Sequence, residues 1–212
     1  MTKKNIYIIG AGNLAREIES WLEEEIEDNP DFKLKGFLYN IKDNNPLEGY
    51  PSDFKILGNW DTFSFGKDDY CLIGIADPAW RERIYNTLKD KVKFYTFISK
   101  KAITGKFNSI GEGSVILPNC ILTTNIRTGK CVFLNIGTQI GHDCVIGDFS
   151  SLMPHVNLGG NCNLGKKVFA GTGAVILPNR SIGDEASVGA GSVVIRNIKE
   201  KTSVFGNPAK KV

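Results

Sequence analysis

The sequence contains few of the residues on which several classes of protein depend. It has two histidines, and its five cysteines include no Cys-x-x-Cys pair, so we expect buried thiols rather than disulfides. No apolar run reaches the roughly 18 residues that a transmembrane helix needs, which excludes such a helix. The strand-like stretch after Met1–Lys4 is too short for the apolar region of a signal peptide. We therefore expect a cytoplasmic protein.

The charge is distributed unevenly along the 212 residues. Residues 1–100 contain 14 Lys and Arg against 17 Asp and Glu, whereas residues 101–212 contain 12 against 6. No basic run is dense enough to indicate nucleic-acid binding. The second half is therefore expected to attract the phosphates of a small molecule.

A six-residue repeat fills the second half of the chain. In steps of six from Ile110 to Val188, twelve of fourteen positions are Leu, Ile or Val, and glycine follows nine of the fourteen. A helical period of 3.6 cannot keep this phase, and a plain strand needs no regular glycines. The pattern predicts a three-sided prism of short parallel strands, with glycine relieving strain at the corners. Residues 18 apart then stack, about 4.8 Å from each other.

A glycine-rich turn follows the first predicted strand, Ile6–Ile9. The segment Gly10-Ala11-Gly12-Asn13-Leu14-Ala15 has the G-x-G-x-x-A form of a nucleotide-binding turn, and a helix to about Glu27 follows it. Glycines let the backbone approach a phosphate, which the free N–H groups of the helix start also favour. The alternative is that these glycines only allow the helix and strand to pack closely.

The rest of the first half predicts a small unit rather than a complete dinucleotide domain. Strands are expected at 34–39 and 70–75, and a helix near 78–88. Tyr39-Asn40 stands where an acidic residue would hold the ribose of NAD. With only about 100 residues before the prism, a nucleotide sugar fits this unit better than NAD.

His142 is the candidate catalytic base. It follows Ile140-Gly141 at a predicted corner, and the residue 18 positions later is Gly160. Acyl transfer needs an imidazole to take a proton and an N–H to stabilise the oxyanion. Asp143 is the nearest carboxylate that could orient the ring. A plain surface histidine is the alternative, and His155 is expected to be a structural or rim residue.

Three motifs together resemble one protein family. They are the turn at 10–15, the segment Ile140-Gly141-His142-Asp143-Cys144-Val145-Ile146-Gly147-Asp148-Phe149, and the tail Gly206-Asn207-Pro208-Ala209-Lys210. They resemble the hexapeptide-repeat sugar acetyltransferases of the sialic-acid O-acetyltransferase-like branch, which includes bacterial enzymes acting on UDP-4-amino sugars. The resemblance spans nearly the whole chain. It implies an α/β Rossmann-like half-domain at 1–100, then a left-handed parallel β-helix at 101–212, assembled as a homotrimer with active sites between neighbouring prisms.

The resemblance also implies roles for individual residues. His142 would act as the base, Asp143 as its acidic partner and Gly160 as the oxyanion donor. Acetyl-CoA, the implied co-substrate, would be contacted by Ser151, Gly160, Thr172 and Ala190. The nucleotide sugar would meet Gly10, Gly12, Asn13, Leu14, Tyr39, Asn40 and Gly58. No metal is expected, because two histidines are too few for the three-histidine zinc site of hexapeptide-repeat carbonic anhydrases.

These residues lead to one expected function and two alternatives. The expected function is acetyl-CoA-dependent N-acetylation of a nucleotide-linked amino-dideoxy sugar in bacterial glycan biosynthesis. Leu14 replaces a histidine of the UDP-sugar relatives, and Tyr39-Asn40 replaces an acidic pair, so the nucleotide and the sugar stay open. The alternatives are O-acetylation of sialic acid or another sugar, and a non-catalytic scaffold that binds nucleotide sugars.

Overall fold

The N-terminal part of the protein is a parallel sheet with helices on both faces. The computed structural model describes residues 3–27, 29–40 and 45–212. The sheet has the strand order β3-β2-β1-β4-β5, with all pairs parallel. Its elements are, in chain order, β1 (Lys4–Ile9), α1 (Asn13–Glu27), β2 (Phe32–Leu38), β3 (Ile56–Gly58), β4 (Asp69–Ile73), α2 (Pro78–Leu88) and β5 (Lys93–Phe94).

Strand β1 is apolar because both of its faces are covered. Ile6 and Ile8 share a core with α1, whereas Tyr7 and Ile9 share one with α2. This alternation along the strand gives each helix its own side of the sheet. Within the described ranges, neither helix has the length and apolar character that a membrane crossing needs.

The element boundaries differ from the sequence-based expectations at several ends. Helix α2 has the predicted bounds, with Asp77 capping it through a 2.9 Å bond from the N–H of Trp80. Strand β2 begins earlier than predicted because Phe32 pairs with Lys4 of β1. Strand β4 ends before Gly74, where the chain turns away. Strand β3 was not predicted, since three residues ending in Gly58 carry too short a pattern.

The second half forms a prism with three walls of parallel strands, successive strands in a wall being mostly 18 residues apart. Wall 1 contains Phe97–Ile98, Val115–Ile116, Phe133–Leu134, Ser151–Leu152, Phe169–Ala170, Ser187–Val188 and Ser203–Phe205, with Lys210–Lys211 antiparallel at its end. Wall 2 contains Ile103–Thr104, Ile121–Leu122, Gln139–Ile140, Asn157–Leu158, Val175–Ile176 and Val193–Val194. Wall 3 contains Arg127–Thr128, Val145–Ile146, Asn163–Leu164 and Ser181–Ile182. The predicted fold class, an α/β unit followed by a hexapeptide-repeat β-helix, is confirmed.

The repeated glycines have a different role from the predicted one. Glycines such as Gly141 and Gly147 are not at positive φ, whereas Asp143, two residues after Gly141, has a φ of 60°. A Cβ at Gly141 would stand 2.5 Å from the backbone nitrogen of Gly160, and one at Gly147 would stand 2.4 Å from the backbone of the next coil. Glycine is therefore needed for close stacking of the coils, and the strained corner position is another one.

Wall 1 is the side of the prism that packs against the N-terminal unit. Its outward residues Val115 and Phe133 are fully buried in the same core as β1 and α1. The outward residues of the other walls include exposed ones, such as Gln139 in wall 2 and Val145 in wall 3. The domain boundary at residue 100 stays a prediction, because Phe97–Ile98 already pairs within wall 1.

The five cysteines are free and buried, as predicted. Cys120, Cys144 and Cys162 lie inside the prism, in the same core as the aliphatic residues of the repeat. They serve as small apolar residues there.

Candidate active site

His142 lies at the corner between walls 2 and 3. Its side chain is 63% exposed, because the chain turns here and the imidazole points away from the prism interior. The corner is the one opposite wall 1, since walls 2 and 3 meet there. The imidazole is therefore accessible to a substrate that approaches from outside the chain.

Asp143 holds the imidazole in a defined orientation. Asp143 has a positive φ of 60°, a conformation that aspartate tolerates better than most residues. Asp143 Oδ2 lies 2.7 Å from His142 Nδ1. An ionised carboxylate only accepts hydrogen bonds, so Nδ1 carries the proton and Nε2 presents its lone pair. This is the tautomer that a general base requires.

Gly160 lies directly against the other side of the ring. A Cβ at Gly160 would stand 2.5 Å from His142 Nε2, so glycine is the residue that leaves room for the imidazole. The N–H of Gly160 has no acceptor within the described part of the chain, as an oxyanion donor requires.

Asn125 is a contributor that the sequence reasoning missed. Its Nδ2 donates to Asp143 Oδ1 at 2.6 Å, from the position 18 residues earlier. The hydrogen bonds from Asn125 and from His142 hold the pKa of Asp143 below its usual value. Stacking at 18 residues, which paired His142 with Gly160, would also have identified Asn125.

Replacing Asn125 should weaken the site without removing it. In Asn125→Ala, Asp143 loses the hydrogen bond from Asn125, so its pKa should rise. We expect kcat to fall about threefold to tenfold, the net effect of one ordinary hydrogen bond. The acid limb of the pH–rate profile should move to higher pH. Asn179→Ala is the matched control, because Asn179 lies three coils above Asn125 at the same corner and also has a positive φ. Equal kcat values for the two variants would contradict the role of Asn125.

The residues predicted to bind a nucleotide meet at the carboxyl edge of the N-terminal sheet. The turn Gly10–Leu14 follows β1, Tyr39 and Asn40 follow β2, and Gly58 ends β3. Tyr39 donates its N–H to the carbonyl of Gly58 at 2.9 Å, and Asn40 Oδ1 accepts from the N–H of Trp60 at 3.1 Å. Ligands of such sheets bind outside the carboxyl ends of the strands, where the strand order reverses.

Comparison with known proteins identifies the family. WeeI from Acinetobacter baumannii AYE has 30% identity and a TM-score of 0.86, and the match covers 98% of this chain and 99% of that one. GDP-perosamine N-acetyltransferase of Escherichia coli O157:H7 is 30% identical over 150 residues, which is 67% of this chain and 64% of the relative. The chain belongs to the hexapeptide-repeat sugar acetyltransferases.

A solved structure of another acetyltransferase has the same fold as this chain over nearly its whole length. A variant of perosamine N-acetyltransferase from Caulobacter crescentus, in complex with CoA and GDP-perosamine, has a TM-score of 0.86 and 22% identity, covering 98% of this chain and 96% of that one. No family model matches the sequence. The chain matches just under two thirds of the length of the curated Escherichia coli relative.

The residues expected to contact acetyl-CoA do not all lie together in this member of the family. Gly160 is beside His142, whereas Thr172 and Ala190 stack on each other at the corner between walls 1 and 2, where both are exposed. Ser151 is fully buried, and its Oγ donates to the carbonyl oxygen of Ala76 at 2.6 Å. Because it occupies a strand position of wall 1 and not a corner, it offers no surface to coenzyme A. This corrects its sequence-based assignment.

Candidate metal ligands do not cluster in the described part of the chain. No group of three or more His, Cys, Asp or Glu side chains is placed to hold a metal ion there. His155, the second histidine, lies at the corner between walls 1 and 2, where its Nδ1 would be 2.5 Å from a Cβ at Gly137. It has the same close stacking on glycine as His142, without a carboxylate partner among the described residues.

Proposed function

We propose that this protein transfers the acetyl group of acetyl-CoA to the amino group of a nucleotide-linked amino sugar, in bacterial glycan biosynthesis. The observation that carries the proposal is the arrangement of His142 between Asp143 and Gly160, where neither Nε2 of His142 nor the N–H of Gly160 has a hydrogen-bond partner among the described residues. The similarity to the GDP-perosamine N-acetyltransferase supports the amino-sugar substrate. The complex of the Caulobacter relative supports CoA as the co-product.

The chemistry follows from the positions of the three residues. His142 Nε2 takes a proton from the attacking amine as its nitrogen forms a bond to the thioester carbon. The N–H of Gly160 stabilises the negative charge that develops on the thioester oxygen. Asp143 stabilises the resulting imidazolium. His142 then returns the proton to the sulfur as the C–S bond breaks, leaving the N-acetyl sugar and free coenzyme A.

A substrate panel tests this function directly. The protein is incubated with acetyl-CoA and nucleotide-linked amino sugars, GDP-perosamine among them, each beside the same compound with a hydroxyl in place of the amine. We expect thiol release with at least one amino compound and none with its hydroxyl counterpart. Release with hydroxyl compounds or sialic acid alone would replace N-acetylation with O-acetylation. No release with any compound would refute the acetyltransferase and favour a binding scaffold.

We further propose that the working assembly is a cytoplasmic homotrimer in which neighbouring chains share each active site. Within one chain, the nucleotide-binding edge belongs to the unit on wall 1, and His142 lies on the opposite corner of the prism. Exposed apolar residues surround that corner: Val145, Leu177 and Ile195 are 42%, 40% and 40% exposed. A neighbouring prism that covers them would bring its own nucleotide site towards His142.

Mixed trimers test the shared site. His142→Ala removes the base, and Gly12→Asp places a negative charge where the diphosphate would bind, at a position where a Cβ meets no atom within 4 Å. Each variant alone should be nearly inactive. After coexpression at equal levels, about one quarter of the sites combine an intact crevice with a neighbour's His142, so about a quarter of wild-type activity should return. If no activity is recovered, the nucleotide crevice and His142 of one chain form the same active site.

A further inference from the structure

The segment Gly74–Asp77, here called the crevice loop, forms the wall opposite the glycine turn. It follows β4, the neighbour of β1 on the side where the strand order reverses. A Cβ at Gly10 would stand 3.1 Å from the carbonyl oxygen of Gly74 and from the side chain of Ile75. The crevice loop and the glycine turn are therefore in contact, and the position of one sets the space beside the other.

Ser151 attaches the crevice loop to the prism at Ala76. Its Oγ donates to the carbonyl oxygen of Ala76 at 2.6 Å, and the residue is fully buried. The equivalent outward positions in the adjoining coils are Phe133 and Phe169. Wall 1 therefore has a hydroxyl, and not a phenyl ring, at the coil that makes this hydrogen bond to the crevice loop.

Arg81 attaches the same loop to the prism one residue earlier. Its Nη1 donates to the carbonyl oxygen of Ile75 at 3.1 Å, while Nε donates to that of Cys131 at 2.9 Å and Nη2 bonds to the same oxygen. The side chain is fully buried against the ring of Phe133. Burial lowers the pKa of this guanidinium to about 10.

A buried guanidinium without a carboxylate is unusual, because burying a charge is unfavourable unless the charge is paired. Among the described residues, no carboxylate lies within ion-pair distance of Arg81. Its N–H groups instead join two carbonyls, one in the crevice loop and one at the prism corner between walls 3 and 1. An apolar side chain would fill the space but could not make this connection.

We propose that Ser151 and Arg81 are positioning residues that clamp the crevice loop onto the prism and so set the width of the nucleotide-sugar site. The proposal rests on the proposed function for the identity of the ligand. The clamp links adjacent carbonyls, those of Ile75 and Ala76, to two different parts of the prism. Both side chains are fully buried and bond to the backbone of the crevice loop, so they would act on the site through that loop.

Ser151→Ala tests the clamp with little change in volume. Ser187→Ala is the matched control, because Ser187 occupies the same wall 1 position two coils further on and donates to no described residue of the N-terminal unit. In Ser151→Ala alone, amide hydrogen exchange in the crevice loop should accelerate. KM for the nucleotide sugar should rise about fivefold, as for one lost hydrogen bond, while kcat and KM for acetyl-CoA stay within twofold. If Ser151 had a purely structural role, its replacement would lower the melting temperature without raising KM for the nucleotide sugar selectively.

Arg81→Met is the second variant and should produce the same split with a larger rise in KM, if it folds. Exchange and KM values in Ser151→Ala equal to those of Ser187→Ala would overturn the clamp, as would a fall in kcat at unchanged KM. A wild-type protein without turnover on any nucleotide sugar would instead refute the proposed function. Hydrogen exchange would still test the clamp in that case, because it needs no substrate.

Discussion

His142→Ala should lower kcat by about 100-fold to 10,000-fold, the range over which a positioned general base contributes. KM for acetyl-CoA should change little, because the imidazole acts on the attacking amine and not on the coenzyme. The exposed side chain means that its removal leaves the prism core intact, so the melting temperature should stay near that of the wild type. Steady-state kinetics with the best substrate of the panel provide the measurement.

His155→Ala is the matched control for this experiment. Both histidines are exposed and lie at prism corners against a glycine of an adjoining coil. Only His142 has a carboxylate on Nδ1 among the residues described. We expect His155→Ala to keep nearly full kcat. Activity of His142→Ala within threefold of the wild type would remove His142 from the mechanism.

Gly160→Ala should have the second-largest effect, a loss of about 100-fold in kcat. The new Cβ would stand 2.5 Å from His142 Nε2, which is too close for the imidazole to keep its position. Displacing the ring separates the base from the N–H of residue 160 and from the amine, so the loss should resemble removal of the base. The His142–Asp143 hydrogen bond should also break, raising the pKa of Asp143.

The Gly160 prediction has an internal check. If Gly160→Ala acts by displacing the imidazole, it should have little effect once the imidazole is gone. The double variant His142→Ala, Gly160→Ala should therefore have nearly the same kcat as His142→Ala. If the losses of kcat in the two single variants simply multiply in the double variant, the alanine at position 160 acts in another way, for example on stacking with the neighbouring coil. Thermal unfolding of the single variant, measured beside the kinetics, separates that effect from displacement of the imidazole.

The six-residue phase was enough to predict the prism and to bring His142 and Gly160 together. A strict repeat turns sequence separation into distance, since residues 18 apart stack whatever their side chains are. The same rule reaches Asn125, which stacks on Asp143. The left-handed backbone of Asp143 follows the same period, because every sixth residue from Phe107 to Gly191 has a positive φ. The sequence did not reveal this position, since the glycines of the repeat lie elsewhere, as Gly141 does two residues before Asp143.

Contacts between the two parts of the chain were beyond the sequence patterns. The sequence-based resemblance assigned Ser151 to the acetyl-CoA site, and no sequence pattern singled out Arg81. Both are fully buried because they lie where α2 and the crevice loop meet the prism. This packing depends on the fit between the surface of the N-terminal unit and that of wall 1. The contacts between them follow no sequence period from which they could be predicted. The strain assigned to the repeated glycines was wrong for a related reason, since it is the neighbouring coil that restricts them.

The antiparallel strand Lys210–Lys211 pairs with Ser203–Phe205 at the end of wall 1. A column of parallel strands otherwise finishes in unsatisfied backbone groups, onto which a second column could add and extend into a filament. Reversing the chain direction and placing two cationic side chains there should make this edge of wall 1 a poor template for a further parallel strand. We therefore expect pairing between columns to be disfavoured at this edge of wall 1.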